Sequence, residues 1–328
     1  MKWFERFREG NENLDGEIEE EEREVDRDER KSPQMIPIGG GSYGNAFRLE
    51  NYEPPIAMKE VNYSSNLVDQ SNEMKILKEL VHENIVRYID QPIDFDYNGE
   101  KFPIFMEYCE EGSLRNVIAD VTLNYSVSTI IKWAKEIFNA LIYLKGERIA
   151  HRDVKPGNIF VTRDFELKLG DFGVFTRFEN GKEMRIEEIG TRFYMAPELN
   201  GDITKLTEED IYQCDIYASG LVLWEIVTRD TLSSSSLSTL QFPSTTSTDV
   251  RQLLDLIQRC SSPNISIKKR ATVEEAMRET KLLIERFTNF IEKPYRNRNQ
   301  KHLMIPDAAC ALFPNQLICA LIKEKLLM

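Results

Sequence analysis

The periodicity of the chain changes at Glu111-Gly112, and that change limits the fold more than any other feature. Before it, PQMIPIGGG, AFRLE, PPIAMKEVNY, NIVRYID and KFPIFMEY read as short strands, interrupted by one helical stretch at Asn66–Val81. After it, Ile130, Ile131, Ala134, Ile137, Phe138, Leu141 and Ile142 recur at helical spacing. Asp215–Thr228 reads as a second, very apolar helix, and Arg251–Cys260 and Thr272–Phe290 follow it. A strand-rich part followed by a helix-rich part predicts an α+β chain whose two halves meet at a cleft.

The flanks have a different texture. Residues 1–31 carry 13 acidic and 7 basic side chains, so a tenth of the chain supplies nearly half of the formal charge of −13. Residues 1–33 are therefore expected to be a solvated, disordered tail. Within it Trp3, Phe4 and Phe7 share one helical face, and a frayed terminus is the expected reading. Residues 231–248, TLSSSSLSTLQFPSTTST, form a polar, low-complexity insertion, and residues 289–328 have apolar patches such as LICALI but no recognisable chemistry. The net negative charge argues against direct nucleic-acid binding. No run of about 18 apolar residues is present, so no transmembrane segment is expected, and no cationic-then-apolar leader opens the chain. Five scattered cysteines without a CxxC are neither a zinc pattern nor a disulfide framework. They suit a reducing compartment, the cytoplasm or else the nucleus.

Chemistry enters with Gly39-Gly40-Gly41-Ser42-Tyr43-Gly44, a G-x-G-x-x-G. Glycines let a backbone turn tightly and bring its N–H groups to phosphates. Dinucleotide folds share the pattern but open it directly into a helix, whereas here AFRLE continues as a strand and makes a hairpin lid. Lys59 ends IAMK fifteen residues beyond Gly44. Glu73 lies four and seven residues before Leu77 and Leu80, on the inward stripe of its helix. A carboxylate there costs several kcal/mol unless paired. Lys59 is its natural partner, either as a structural salt bridge or as an ammonium set to hold ATP phosphates.

The strongest segment is His151-Arg152-Asp153-Val154-Lys155-Pro156-Gly157-Asn158, followed thirteen residues later by Asp171-Phe172-Gly173. Phosphoryl transfer needs an acceptor for a hydroxyl proton, oxygen ligands for magnesium and cations for developing phosphate charge. Asp153 can be the base, Asn158 and Asp171 the ligands of Mg2+ (Mn2+ is the alternative ion), and Lys155 the phosphate contact.

These segments together resemble the eukaryotic protein kinase superfamily over roughly residues 34–285. The resemblance implies a bilobal fold within residues 34–288. Its small, mostly antiparallel β lobe with one key helix would span 34–108, and its mainly helical large lobe 109–288. It also implies ATP as cosubstrate and a protein substrate presenting serine or threonine. In this reading Lys59, Glu73, Asp153 and Lys155 are the catalytic group. Ile38, Gly39, Gly40, Gly41, Ser42, Tyr43, Gly44 and Lys59 hold ATP, while Ala46, Ala57 and Phe160 wall the adenine pocket. Met106 occupies the gatekeeper position, and Glu107 and Cys109 are hinge residues offering backbone contacts. TRFYMAPE resembles the end of an activation segment, with Glu198 implied to pair with Arg270 and Asp215 to brace the catalytic loop. Lys155 with Gly190-Thr191 resembles the serine/threonine type.

Within the superfamily HENIVRY, FMEYCEEGSLRNVI, KLGDFGVFTRFENG and CDIYASGLVLWEI most resemble kinases of the translation initiation factor 2 α subunit, with NIMA-related kinases next. Two positions depart from that group. Ile186 stands where it commonly carries a phosphorylated threonine, and the 231–248 stretch replaces a substrate-docking helix. The alternative to an active enzyme is a pseudokinase scaffold, but Lys59, Glu73, Asp153, Asn158, Asp171 and the three loop glycines are all present. Between Arg177 and Ile189 there is no Ser, Thr or Tyr, but there are four glutamates, Glu179, Glu183, Glu187 and Glu188. One of the last two is expected to face Arg152 in place of a phosphate, giving basal activity without loop phosphorylation.

Overall fold

The strand-like stretches within residues 35–61 and 102–107 form four antiparallel strands, β1 (Met35–Gly41), β2 (Gly44–Leu49), β3 (Ile56–Val61) and β4 (Phe102–Glu107), in the order β1-β2-β3-β4. The structure is a computed structural model describing residues 34–41, 44–61, 67–97, 99–179, 190–200, 206–233, 248–287 and 293–297. The expected acidic tail, most of the 231–248 stretch and most of the C-terminal extension lie outside these residues. One sheet face packs Leu49, Ile56, Met58 and Phe105 with Phe95 into a small core. Helix α1 (Leu67–Glu79) follows β3 and sends Ile76 and Leu77 into the main core.

The expected strand NIVRYID is not one. Its backbone is extended, but it divides its hydrogen bonds between two sheets. Ile89 N–H donates to Phe105 O (3.0 Å) and Glu107 N–H to Arg87 O (2.9 Å), while Val86 N–H donates to the Leu169 carbonyl (2.9 Å). A segment shared in this way makes only isolated bridges, and it stitches the small sheet to the larger lobe.

Beyond the hinge the chain forms β5 (Gly112–Ser113), α2 (Leu114–Ala119), β6 (Leu123–Asn124), α3 (Val127–Gly146), β7 (Ile149–Ala150), β8 (Ile159–Val161), β9 (Leu167–Leu169) and β10 (Thr176–Arg177). Then come α4 (Glu208–Thr228), α5 (Thr248–Ser261), α6 (Val273–Phe287) and β11 (Tyr295–Arg296). Helix α4 begins seven residues before the expected Asp215, because Thr207 and Asp210 close a reciprocal capping box. Every residue from Ile211 to Val227 is buried, the polar Gln213, Asp215, Ser219 and Glu225 among them. Ends also differ at α1 and α6, and β11 pairs with β6, so part of the expected C-terminal extension lies on the large lobe.

Helices α4 and α5 approach closely at Gly220, where an added Cβ would stand 2.7 Å from Ser261 Cβ and 2.8 Å from Cys260 Cβ. Both contacts are with backbone-anchored atoms that cannot swing away. Gly220→Ala is expected to destabilise the fold by about 1–3 kcal/mol, read as a lower urea midpoint with an unchanged slope. An unshifted midpoint would mean that the two helices are not held this close.

Candidate active site

Strand register builds the glycine-rich end of the cleft. Gly39 faces Ala46, Gly40 faces Asn45 and Gly41 faces Gly44 across the first hairpin. Gly44 has φ +143°, and a Cβ there would lie 1.7 Å from the Glu60 carbonyl oxygen, so only glycine lets the hairpin lie against β3. Ser42 and Tyr43, also expected at the phosphates, lie outside the described residues. Ala46 faces Lys59 and Ala57 faces Met106, which puts all four on one sheet face. Ile38 is exposed on β1, and Phe160 is half-buried on β8 across the cleft. After Met106, Gly112 N–H donates to the Cys109 carbonyl at 3.0 Å and closes the hinge turn. Burial pushes the Cys109 thiol up to about 12, so the thiol itself is unreactive. The Glu107 carboxylate accepts from Arg87 N–H at 2.8 Å and lies 3.0 Å from Lys168 Nζ.

Lys59 is the centre of the cleft. Its Nζ donates at 2.7 Å to Glu73 Oε1 on α1 and at 2.7 Å to Asp171 Oδ1. Burial pulls the ammonium pKa down, but the two carboxylates together outweigh it and the net shift is upward. Burial raises Asp171, but Lys59, with His151 and Lys155 behind it, outweighs burial and holds Asp171 below its ordinary value. Glu73, buried more deeply, is pushed above its ordinary value. Asp171 adopts the left-handed conformation (φ 61°), and Phe172 beside it is buried edge-on against His151, with ring centroids 4.9 Å apart.

Below this lies a second, tightly bonded group. Asp153 Oδ1 accepts from Thr191 N–H (3.0 Å) and Thr191 Oγ1 (2.7 Å), and its Oδ2 accepts from Lys155 Nζ (2.6 Å) and Asn158 Nδ2 (2.9 Å). Asn158 Nδ2 also donates to the Asp153 carbonyl at 2.9 Å. With its amide nitrogen committed to Asp153, the Asn158 amide oxygen is the atom left for a cation. The Asn158 carbonyl accepts from Gly170 N–H (2.9 Å), which ties it to the residue before Asp171. The donor set, one carboxylate and one amide oxygen, fits a hard cation such as Mg2+. Among the described residues no cluster of three His, Cys, Asp or Glu could hold a metal unaided. A cation here would share its coordination with phosphate oxygens, as magnesium commonly does.

Gly170 was not singled out from sequence. A Cβ there would come within 2.9 Å of Val86 Cγ2 and 3.0 Å of Phe160 Cε2, so its glycine sets how closely the Asp171 turn approaches the cleft floor. Its carbonyl also accepts from His151 Nε2 (3.0 Å), while His151 Nδ1 accepts from Asp153 N–H (3.2 Å), which fixes the imidazole tautomer. The signal available was a glycine directly preceding Asp-Phe-Gly. The expected approach of Glu187 or Glu188 to Arg152 lies outside the described residues. Within them Arg152 Nη1 donates to Thr176 Oγ1 at 3.2 Å.

Support comes from the large lobe. Arg270, buried, bonds Glu198 at 2.8 Å and the Gln213 carbonyl at 2.9 Å, the pair implied by the resemblance. Asp215 accepts from the backbone N–H of His151 (2.7 Å) and of Arg152 (2.8 Å). Arg152 is left-handed (φ 67°), a conformation of order 1–3 kcal/mol above the common ones, and the two bonds hold it there. Asp215→Asn has one acceptor oxygen for two donors. It is expected to cost about 1–3 kcal/mol and to slow catalysis with the nucleotide affinity retained, as measured by denaturation and ATP titration. Full stability and full turnover in this variant would show that the loop does not depend on Asp215.

Comparison with known proteins agrees with this arrangement. The protein kinase domain family matches residues 34–307. The chain is 35% identical over 213 residues to the putative mitogen-activated protein kinase kinase kinase 7-like protein of Drosophila melanogaster, covering 63% of this chain and 51% of that one. It is 33% identical over 207 residues to serine/threonine-protein kinase Nek1 of Mus musculus, covering 60% and 16%. It is 29% identical over 220 residues to the interferon-induced, double-stranded RNA-activated protein kinase of Rattus norvegicus, covering 62% and 42%. The chain thus spans about half the length of the fly relative and less of the other two. With a match across most of its length, the chain belongs to the protein kinase domain family, and its relatives are serine/threonine kinases.

Proposed function

We propose that the chain is an active kinase that transfers the γ-phosphate of ATP to serine or threonine of a protein, rather than a pseudokinase. The observation that carries this reading is Lys59 lying 2.7 Å from both Glu73 and Asp171, which aligns the helix, the sheet and the metal-side aspartate at once. The Gly39–Gly44 hairpin and Lys59 would hold the phosphates, and the Met106–Cys109 backbone the adenine. Asn158 and Asp171 would bind magnesium, which neutralises phosphate charge when present. Asp153 would accept the proton of the incoming hydroxyl, and Lys155 beside it would follow the transferred phosphoryl charge. Thr191, bonded to both Asp153 and Lys155, supports a serine or threonine acceptor. The resemblance of the hinge and catalytic segments makes the α subunit of translation initiation factor 2 the first substrate to assay. A cytoplasmic location belongs to the same proposal and rests on the cysteine pattern alone.

Lys59→Met and Asp171→Asn are expected to abolish transfer with the fold retained, since both groups act on phosphate and metal rather than on packing. Asp153→Asn should lose at least about 10²-fold in kcat, and chelation of divalent cations should stop turnover in the wild type. Near-normal turnover by Asp171→Asn in magnesium would remove the assignment. Met106→Gly is expected to admit adenine-site inhibitors with a bulky group behind the ring. Equal binding of such a compound to both proteins would show that Met106 does not guard that space.

A further inference from the structure

Each carboxylate of the hinge turn FMEYCEEGS has a cation assigned to it, two of them from the β8–β9 hairpin and one from β11. Glu107 lies 3.0 Å from Lys168 Nζ on β9. Glu110 accepts from Arg163 N–H at 2.9 Å and lies 3.6 Å from Arg163 Nε, in the turn after β8. Glu111 is bonded through both oxygens by Arg296, at 3.3 Å for Oε1 and closer for Oε2. Arg296 lies on β11, 185 residues along the chain, where it faces Leu123 of β6, while Tyr295 faces Asn124. Asn297 N–H continues the pairing by donating to the Thr122 carbonyl at 2.9 Å. The same guanidinium donates from Nε to Asp120 Oδ2 at 3.0 Å, at the end of α2.

Glu111 is also where the hinge turn becomes fixed to the large lobe. Its N–H donates to the Val161 carbonyl at 3.0 Å, and the next two residues form β5, paired with Val161 and Phe160. The ladder that receives the hinge therefore contains Phe160, a candidate wall of the adenine pocket. Left alone, Glu110 and Glu111 are adjacent like charges with Asp120 nearby in the same network, and each would be driven outward into water. A guanidinium can bridge two carboxylates because its donors form a planar fork, which a lysine ammonium does not offer.

We propose that Arg296 is a positioning residue for the nucleotide: by bridging Glu111 and Asp120 it fixes the end of the hinge and cancels carboxylate charge there that would disfavour a polyanionic ligand. The inference rests on the kinase reading above, because it assumes that the hinge receives ATP. A neighbouring contact just before β11 serves as the control, since Lys293 and Asp164 pair at 2.6 Å with both side chains largely exposed. Such a pair contributes little.

The test is calorimetric titration of the full chain with ATP and magnesium, with melting temperatures recorded alongside. Arg296→Ala is expected to weaken ATP binding about three- to fivefold, the scale of one partly screened ion-pair network. Arg296→Lys should recover part of that loss, and Lys293→Ala should bind like the wild type. In a Glu111→Gln background, Arg296→Ala should add little further loss, because the two act as a unit. A lower melting temperature with unchanged ATP affinity would reduce Arg296 to a structural brace and overturn the proposal. An undiminished effect in the Glu111→Gln background would overturn it as well, since Arg296 would then not act through Glu111. A wild-type chain that binds no ATP would instead defeat the kinase reading, and this inference with it.

Discussion

The ammonium of Lys59, shared between Glu73 and Asp171, is the interaction on which the rest of the site depends. Its three members are separated by 14 and 112 residues, so the contact can form only when β3, α1 and the turn after β9 are all in place. Each side chain is largely withdrawn from water, and a buried charge left without its partner costs about 3–5 kcal/mol. The arrangement is therefore close to all-or-none. Losing Lys59 leaves two carboxylates facing each other, and α1 then has no reason to keep Glu73 pointing inward, although the apolar cores on either side do not include these groups.

The remainder of the site is arranged so that little has to move when a substrate arrives. Asp153 is held by four donors from Thr191, Lys155 and Asn158, and the backbone beneath it is held by Asp215. Two residues of the site, Arg152 and Asp171, sit in the left-handed region; Asp215 accepts from the N–H of the first, and Lys59 bonds the carboxylate of the second. Strain of this kind persists only where surrounding bonds over-determine it. The buried helix α4 provides that support by carrying Asp215 within a face that solvent does not reach.

How much of this the sequence shows depends on the range of the interaction. The glycine hairpin was legible because the G-x-G-x-x-G runs on into the strand AFRLE and not into a helix, and Gly44 has a backbone reason to be glycine. The inward Glu73 was legible from helical spacing alone, and that spacing points to Lys59. NIVRYID misled because its composition is that of a strand while its hydrogen bonds are divided between two sheets, a fact of tertiary position. The first turn of α4 was missed because its capping residues are polar and carry no apolar period. Gly170 and Arg296 lie at the far end of the scale. One is required by side chains from Val86 and Phe160, and the other meets Glu111 from the opposite end of the chain. No local pattern announces Arg296, and the one signal for Gly170 is its place directly before Asp-Phe-Gly.

The most direct measurement of the central claim is to incubate the purified chain with magnesium and ATP isotopically labelled in its γ-phosphate, together with a peptide mixture containing serine, threonine and tyrosine. The products are then located by mass spectrometry. The account predicts labelled phosphate on serine and threonine side chains, accumulating with ADP in equal amounts. Label confined to tyrosine, or ADP formed with all of the label in free phosphate, would contradict it.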